Sequence, residues 1–571
     1  MRRTIIFAIV LAASLSLMAQ PPQRGEGNVP GRGPMFQQTP DPENVAYAKR
    51  AGFGSSTFYG RSSNYSPTFF IYPDTKLDKD AAEALVKEMI SAGIDTTFHV
   101  SAYVINPIGD KYDNAADFES FKTMFNRARS GNLKVIGIGN GATFVNAVIA
   151  PQAADHLAGI LTIGGKPAKA FKGQSYGVPA YVAGKNADKV ARNYKAFNAA
   201  HADESLLQVV VNSDADASLP EIFNDCWEKV FSTCFRYNNY KHTHYMGATF
   251  GQYGPYELEP FTIWERMNIE RKVVTVPQGS GNNQSLPYLW YEYWPKELMN
   301  GAPERSVPVM VLLHGNANDP RTQAETSGFL EVAGKERFFV VEMEWQGSRT
   351  AAAMGHDGVE SVIYWLLGQY PQLDPSRIYA EGLSAGSMTA TQLGIRKSHL
   401  FTAVGGHSGA LFGSMPGQSA RPNPFSNYQS IMAEATQKRG AVEIPYCSVF
   451  GTADDVVPFF TPDNWKGNSY LNAWNVYQII NGIDVVKDLD FSKDPLFGMT
   501  LRDREVVTTN KGEGIKMEMG QLYKGDMPII KICAVVDYGH WNFKPTAQVM
   551  WDFFKQFSRD PETGKLIYHA E

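Results

Sequence analysis

The stretch Arg377–Arg396, RIYAEGLSAGSMTATQLGIR, runs an apolar strand through a short corner into a helical pattern. A strand that turns directly into a helix commits the chain to a layered α/β architecture, because the helix must fold back on the sheet its strand joins. Ser384 stands at the corner, within Gly382-Leu383-Ser384-Ala385-Gly386. With 51 glycines in 571 residues that pattern alone carries little weight. Its place between a strand at Arg377–Ala380 and a helix at Ser387–Arg396 gives it weight. A nucleophile at such a corner needs a strained backbone to lift its hydroxyl clear of the sheet, and close strand–helix packing demands the tiny neighbours Gly382, Ala385 and Gly386.

The residues around the corner supply the frame. From about Pro260 onward, strand-like runs alternate with helical spacing, the pattern of a mostly parallel sheet. Val273–Val276 and Tyr288–Tyr293 read as opening strands, and Val307–Leu313 as a buried strand stopping at His314-Gly315. FFVVEMEW, TAVGGHSG, IPYCSVFGTADD and IIKICAVVDYGH read as further strands. A helix over Ala547–Phe557 closes the unit.

A serine hydroxyl needs a base, and the base needs an orienting carboxylate. At a strand–corner–helix nucleophile the partners follow in the order acid, then histidine. Of eleven histidines only His540 and His569 lie beyond the candidate acids. His569 sits past the last helix, two residues from the C-terminus, where fraying is expected. His540 ends the strand Ile529–Val536, so elimination makes it the base. Asp454 and Asp455 both end the preceding strand; Asp454 is favoured, with Asp455 as the alternative. Oxyanion donors are expected from the backbone N–H of Ala385 and from the loop after His314-Gly315, at Asn316.

Composition narrows the remaining possibilities. A formal net charge of −5 without a long basic run gives no footprint for nucleic acid. The opening MRRTIIFAIVLAASLSLMAQ has the charge, apolar stretch and small residue of an export signal over 1–19. Residues 20–45, rich in Pro, Gly and Gln, read as a disordered linker. The expected location is therefore secreted or periplasmic, with no membrane span after signal removal. Cys226, Cys234, Cys447 and Cys533 are too few for a disulfide scaffold, and Cys226 and Cys234 read as one helix, eight residues apart. No spacing resembles a zinc site, and no cofactor or metal is expected.

The stretches LLHGNAND, DPSRIYAEGLSAGS, FTAVGGHSG, FGTADDVVP and YGHWNF resemble the secreted polyhydroxybutyrate depolymerase and feruloyl esterase branch of the α/β-hydrolases. The resemblance covers about 300 residues and implies Ser384, Asp454 and His540 as a triad, with the N–H groups of Asn316 and Ala385 as oxyanion donors. Three features depart from the group. Ser387 replaces a usual glycine, Trp541-Asn542-Phe543 follows His540 where a residue followed by Trp-Pro is common, and FVVEMEWQ replaces the usual Pro-containing loop.

Residues 46–240 look like a degenerate copy. VIGIGNGAT resembles the Ser384 corner, with Gly137, Gly139 and Gly141 where Gly382, Ser384 and Gly386 stand. Asp188 falls at the acid position, but Asn212, Ser213 and Asp214 occupy the place of the histidine. The expected architecture is α/β, with two α/β-hydrolase-like domains in tandem, mostly parallel sheets flanked by helices. They span 46–240 (degenerate) and 261–571 (catalytic), joined by an aromatic-rich linker at 241–260. The expected function is an exported serine esterase acting on feruloyl or acetyl esters of polysaccharide. Alternatives are a polyester depolymerase, a prolyl-oligopeptidase-like peptidase, and a non-enzymatic binding protein.

Overall fold

Runs of β-branched and aromatic residues, such as Thr68–Tyr72 (TFFIY), build strands whose alternate side chains face opposite ways. Here both faces are covered: Phe69 and Ile71 enter one apolar cluster, Phe70 and Tyr72 another. Burial on both faces explains why these strands read as continuous apolar runs. The computed structural model describes residues 41–50, 67–91, 93–95, 100–128, 132–169, 177–201, 206–214, 216–237, 250, 257–260, 269–276, 286–316, 320–347, 351–410, 443–486, 488–508 and 515–570. The expected export signal and most of the 20–45 linker lie outside them. Among the described residues no helix is long and apolar enough to cross a membrane.

The first sheet has seven strands: β1 (Val45–Lys49), β2 (Thr68–Tyr72), β3 (Ser101–Ile105), β4 (Leu133–Ile138), β5 (Gly159–Ile163), β6 (Ala180–Ala183) and β7 (Val209–Asn212). Their order is β1-β3-β2-β4-β5-β6-β7. Only β1 runs antiparallel to its neighbour. β8 (Cys234–Tyr237) then pairs antiparallel with β9 (Glu257–Pro260), so the end of the segment read as a linker forms a small ribbon with the last strand of the 46–240 segment. Cys234 therefore opens a strand rather than continuing the helix of Cys226, a break set by the turn at Ser232-Thr233. All four cysteines are buried free thiols.

The second sheet contains β10 (Ile269–Val276), β11 (Tyr288–Pro295), β12 (Val307–Leu313), β13 (Phe339–Met343), β14 (Leu373–Gly382), β15 (Ala403–His407), β16 (Tyr446–Gly451), β17 (Arg502–Thr508), β18 (Lys516–Lys524) and β19 (Met527–Val535). Its order is β10-β11-β13-β12-β14-β15-β16-β19-β18-β17. The run β13-β12-β14-β15-β16-β19 is parallel, and the outer strands are antiparallel. Seven consecutive strands, from β11 to β19, repeat the order and the direction of the first sheet. Helices Gly355–Gln369, Ala385–Arg396, Ser469–Ile480 and Pro545–Phe554 pack against it.

Two features differ from expectation. The β17–β18 hairpin widens the sheet where the charged sequence RDREVVT gave no strand signal; β17 is exposed along almost its whole length, so it needs no apolar alternation. His569 is not frayed. β20 (Phe557–Arg559) and β21 (Leu566–Tyr568) form a closing ribbon, and His569 Nε2 lies 2.7 Å from Ser558 Oγ. The ribbon is anchored where Tyr379 OH donates to Phe557 O at 2.7 Å and Arg559 donates to Phe401 O and Glu443 O.

Candidate active site

Ser384 sits between β14 and the Ala385–Arg396 helix with φ 54° and ψ −114°, a region that side chains other than glycine's seldom enter. Packing enforces the corner. A Cβ on Gly386 would overlap Leu313 O, and one on Gly382 would overlap the backbone of Gly386. Neighbouring strands hold the serine backbone: Ser384 N donates to His407 O at 2.9 Å, and Leu383 N donates to Leu313 O at 3.1 Å. Ser387 is accommodated by glycines opposite it. Its hydroxyl donates to Gly409 O at 2.9 Å, in space that a Cβ on Gly406 would occupy.

Parallel strands β14, β16 and β19 deliver the corner and two further loops to one edge of the sheet. The loops after β16 and β19 are tied together, with Ala453 N donating to Tyr538 O at 3.0 Å and Asp537 N donating to Thr452 Oγ1 at 2.9 Å. That tie brings Asp454 and His540 into contact, His540 Nδ1 donating to Asp454 Oδ2 at 2.8 Å with both residues buried. The other oxygen, Asp454 Oδ1, accepts from Val456 N and Val457 N, each at 2.9 Å. Held this way, the carboxylate keeps the proton on Nδ1 and leaves Nε2 with the lone pair. Asp455, the alternative acid, is exposed.

His314-Gly315 lies beside the corner. A Cβ on Gly315 would stand 3.7 Å from Ser384 Cβ, an ordinary contact. His314 is buried, its Nε2 3.3 Å from Glu344 Oε1 and its Nδ1 2.8 Å from Gly315 O, and its own carbonyl accepts from Trp345 Nε1 at 2.9 Å. Asn316 is exposed, and its Oδ1 accepts from Gln346 Nε2 at 3.4 Å. Ala385 opens its helix, so its N–H points out of the helix end without an intrahelical acceptor.

Sequence reasoning missed two buried ionisable groups here. His407 ends β15; its Nδ1 donates to Ser408 Oγ at 2.9 Å and its Nε2 accepts from Phe543 N at 3.2 Å. Burial, with His540 nearby, pushes its pKa down to about 3, so it is neutral at physiological pH. Glu381, three residues before Ser384, is pushed up to about 8 by burial, against the opposing hydrogen bond from Gln323. The signal for His407 was present in GGHSG, a histidine leaving the strand next to the nucleophile strand.

The first sheet carries a second corner. Gly139 follows β4 with φ 55° and ψ −111°, within a few degrees of Ser384. A Cβ on Gly141 would overlap Tyr72 O at the end of β2, as one on Gly386 would overlap Leu313 O at the end of β12. The space a side chain would need at position 139 is taken by Asp74, whose Oδ1 accepts from Asn140 N at 2.7 Å. Asp188 stands exposed in the first turn of the Ala187–Asn198 helix, unlike Asp454 in its loop. Helix formation begins sooner after β6 than after β16, and the carboxylate falls on that helix. Asn212 ends β7, and its Oδ1 accepts from Asp214 N at 2.9 Å.

Residues 295–465 match the family model described as Esterase PHB depolymerase. The matched stretch is an α/β-hydrolase esterase domain of that type. The chain is accordingly a serine hydrolase of carboxylic esters. No curated protein sequence matches it. Similar solved structures include an acetyl xylan esterase from Aspergillus awamori, at 12% identity and TM-score 0.34, covering 50% of this chain and 99% of that one. A feruloyl esterase module from Clostridium thermocellum, a serine-to-alanine mutant complexed with sinapinate, is 13% identical at TM-score 0.32, covering 52% and 91%. A ferulic acid esterase is 18% identical at TM-score 0.26, covering 38% and 88%.

Proposed function

We propose that the second sheet carries an exported serine esterase that works through an acyl-Ser384 intermediate. The observation that carries this reading is the buried His540–Asp454 contact of 2.8 Å, at the same sheet edge as a serine held at φ 54°. His540 Nε2 takes the proton of Ser384 as its oxygen attacks the ester carbonyl, and returns it to the leaving alcohol. Asp454 holds the imidazole and stabilises the imidazolium. The N–H groups of Ala385 and Asn316 receive the oxyanion. Water then repeats the sequence in reverse and frees the acid.

The substrates proposed are feruloyl or acetyl esters carried on polysaccharide, favoured by the resemblance in sequence and by the export signal expected at 1–19. The first sheet is proposed to be a catalytically silent domain of the same architecture. A panel of feruloylated sugars, acetylated xylan, polyhydroxybutyrate and a peptide amide, each run with wild type and Ser384→Ala, tests the reading. Turnover of the sugar esters that disappears in Ser384→Ala is expected. Undiminished turnover by the variant would remove Ser384 from the mechanism, and turnover of the peptide alone would replace the esterase with a peptidase.

A further inference from the structure

The tripeptide after His540, Trp541-Asn542-Phe543, departs from the resembling group, and the fold gives that departure a task. Asn542 is buried and its amide faces Gln323, equally buried, on the Pro320–Ser327 helix that follows the Asn316 loop in the chain. Asn542 Nδ2 donates to Gln323 Oε1 at 2.9 Å and to Thr326 Oγ1 at 2.9 Å, while Gln323 Nε2 lies 3.5 Å from Asn542 Oδ1 and donates to Glu381 Oε2 at 3.2 Å. Glu381 belongs to β14, the strand that ends at the Ser384 corner. The next residue, Phe543, is held from the opposite side by its N–H donating to His407 Nε2, and His407 O in turn receives Ser384 N.

We propose that Asn542 is a positioning residue, locking the His540 turn to the helix behind the oxyanion loop and, through Gln323, to the nucleophile strand. Base, oxyanion loop and nucleophile come from three distant parts of the chain, and one buried amide pair joins all three. Near-attack geometry tolerates errors well below an ångström, so a turn released from this lock loses rate before it loses substrate affinity. His407 acts alongside it as an acceptor, a role open only to its neutral ring. This inference rests on Ser384 and His540 being the catalytic pair.

Asn542→Leu, Gln323→Leu and the double variant provide the test, with p-nitrophenyl acetate kinetics and thermal melting measured on each. Each single variant is expected to lower kcat about 10- to 100-fold with KM within about threefold, and to lower Tm, because a buried amide is left without its partner. The double variant removes the amide mismatch and is expected to restore part of the Tm, the amide donors to Glu381 and Thr326 still being lost. Its kcat is expected to stay at the level of the worse single, since both changes cut the same link. Recovery of kcat together with Tm would reduce Asn542 to a packing role and overturn the proposal. So would a folded Asn542→Leu with wild-type kcat. If a single variant does not fold, the double variant alone decides between these outcomes. Ser384→Ala serves as the separate control: loss of hydrolysis there with wild-type kcat in the Leu variants sinks the lock alone, whereas activity surviving in Ser384→Ala sinks the triad beneath it.

Discussion

The chain makes the same backbone corner twice and places a side chain on only one of them. Gly139 and Ser384 differ by 1° in φ and 3° in ψ, and both follow a parallel strand lying between the equivalents of β2 and β5. At Gly139 the torsions cost little, because glycine enters that region freely. At Ser384 they cost roughly 1–3 kcal/mol, the usual range for a residue held in a sparsely populated conformation. The first corner therefore measures what the fold requires, and the second what a side chain adds to it. The neighbourhoods differ as well. Asp74 fills the first corner and takes the Asn140 N–H, the counterpart of the Ala385 N–H expected to meet an oxyanion.

Converting the second corner into the first gives the largest effect. Ser384→Gly is expected to cut ester hydrolysis by about 10⁴-fold or more while raising Tm by a few degrees, as the strain is relieved. Initial-rate assays beside calorimetry check both halves, and a lower Tm would mean that the corner is not strained. The reverse conversion is smaller. Gly139→Ser places a side chain on Asp74 and is expected to lower Tm by several degrees, about 1–3 kcal/mol, with part of the loss recovered in Asp74→Ala/Gly139→Ser. Neither variant should restore hydrolysis to a Ser384→Ala background; turnover there would show that the first sheet keeps a working base. A third effect separates the two sheets by pH. Glu381 is raised from an ordinary carboxyl value to about 8, so the folded state favours its protonated form. Its stabilising contribution is complete below about pH 4.5 and is lost as pH rises toward 8. Glu381→Gln should therefore melt ever higher relative to wild type across that interval, and a difference independent of pH would place Glu381 in a wetter site.

What sequence revealed of this site follows from how local each signal is. Ser384, with its strand, its glycines and its helix, is contained within twenty consecutive residues. His540 could be isolated because only one other histidine follows the candidate acids, and Asp454 because strand ends are where parallel sheets present side chains. His407 and Glu381 were not legible, since each reads as one more residue of a buried strand. Their importance lies in contacts with Phe543 and Gln323, far off in the chain. The same limit applies to the fold. The parallel strands were visible as apolar runs, whereas β17 is charged and solvated and joins the sheet by backbone pairing alone. Asp188 misled for a related reason: VPAYVAGKNADKV lines up with IPYCSVFGTADDV at its aspartate, but a helix begins at Ala187 within that stretch.

The outermost strand has one more consequence. Among the described residues β17 is the outermost strand of a ten-strand sheet, and the rim of a sheet is a template on which a second molecule's strand can assemble. Arg502, Asp503, Arg504 and Glu505 line that rim, with Arg504 paired to Asp494 and Glu518. Any incoming strand would have to dehydrate this row of charges along with its own backbone. The charged hairpin thus stands between the apolar strand β19 and any molecule approaching from that side.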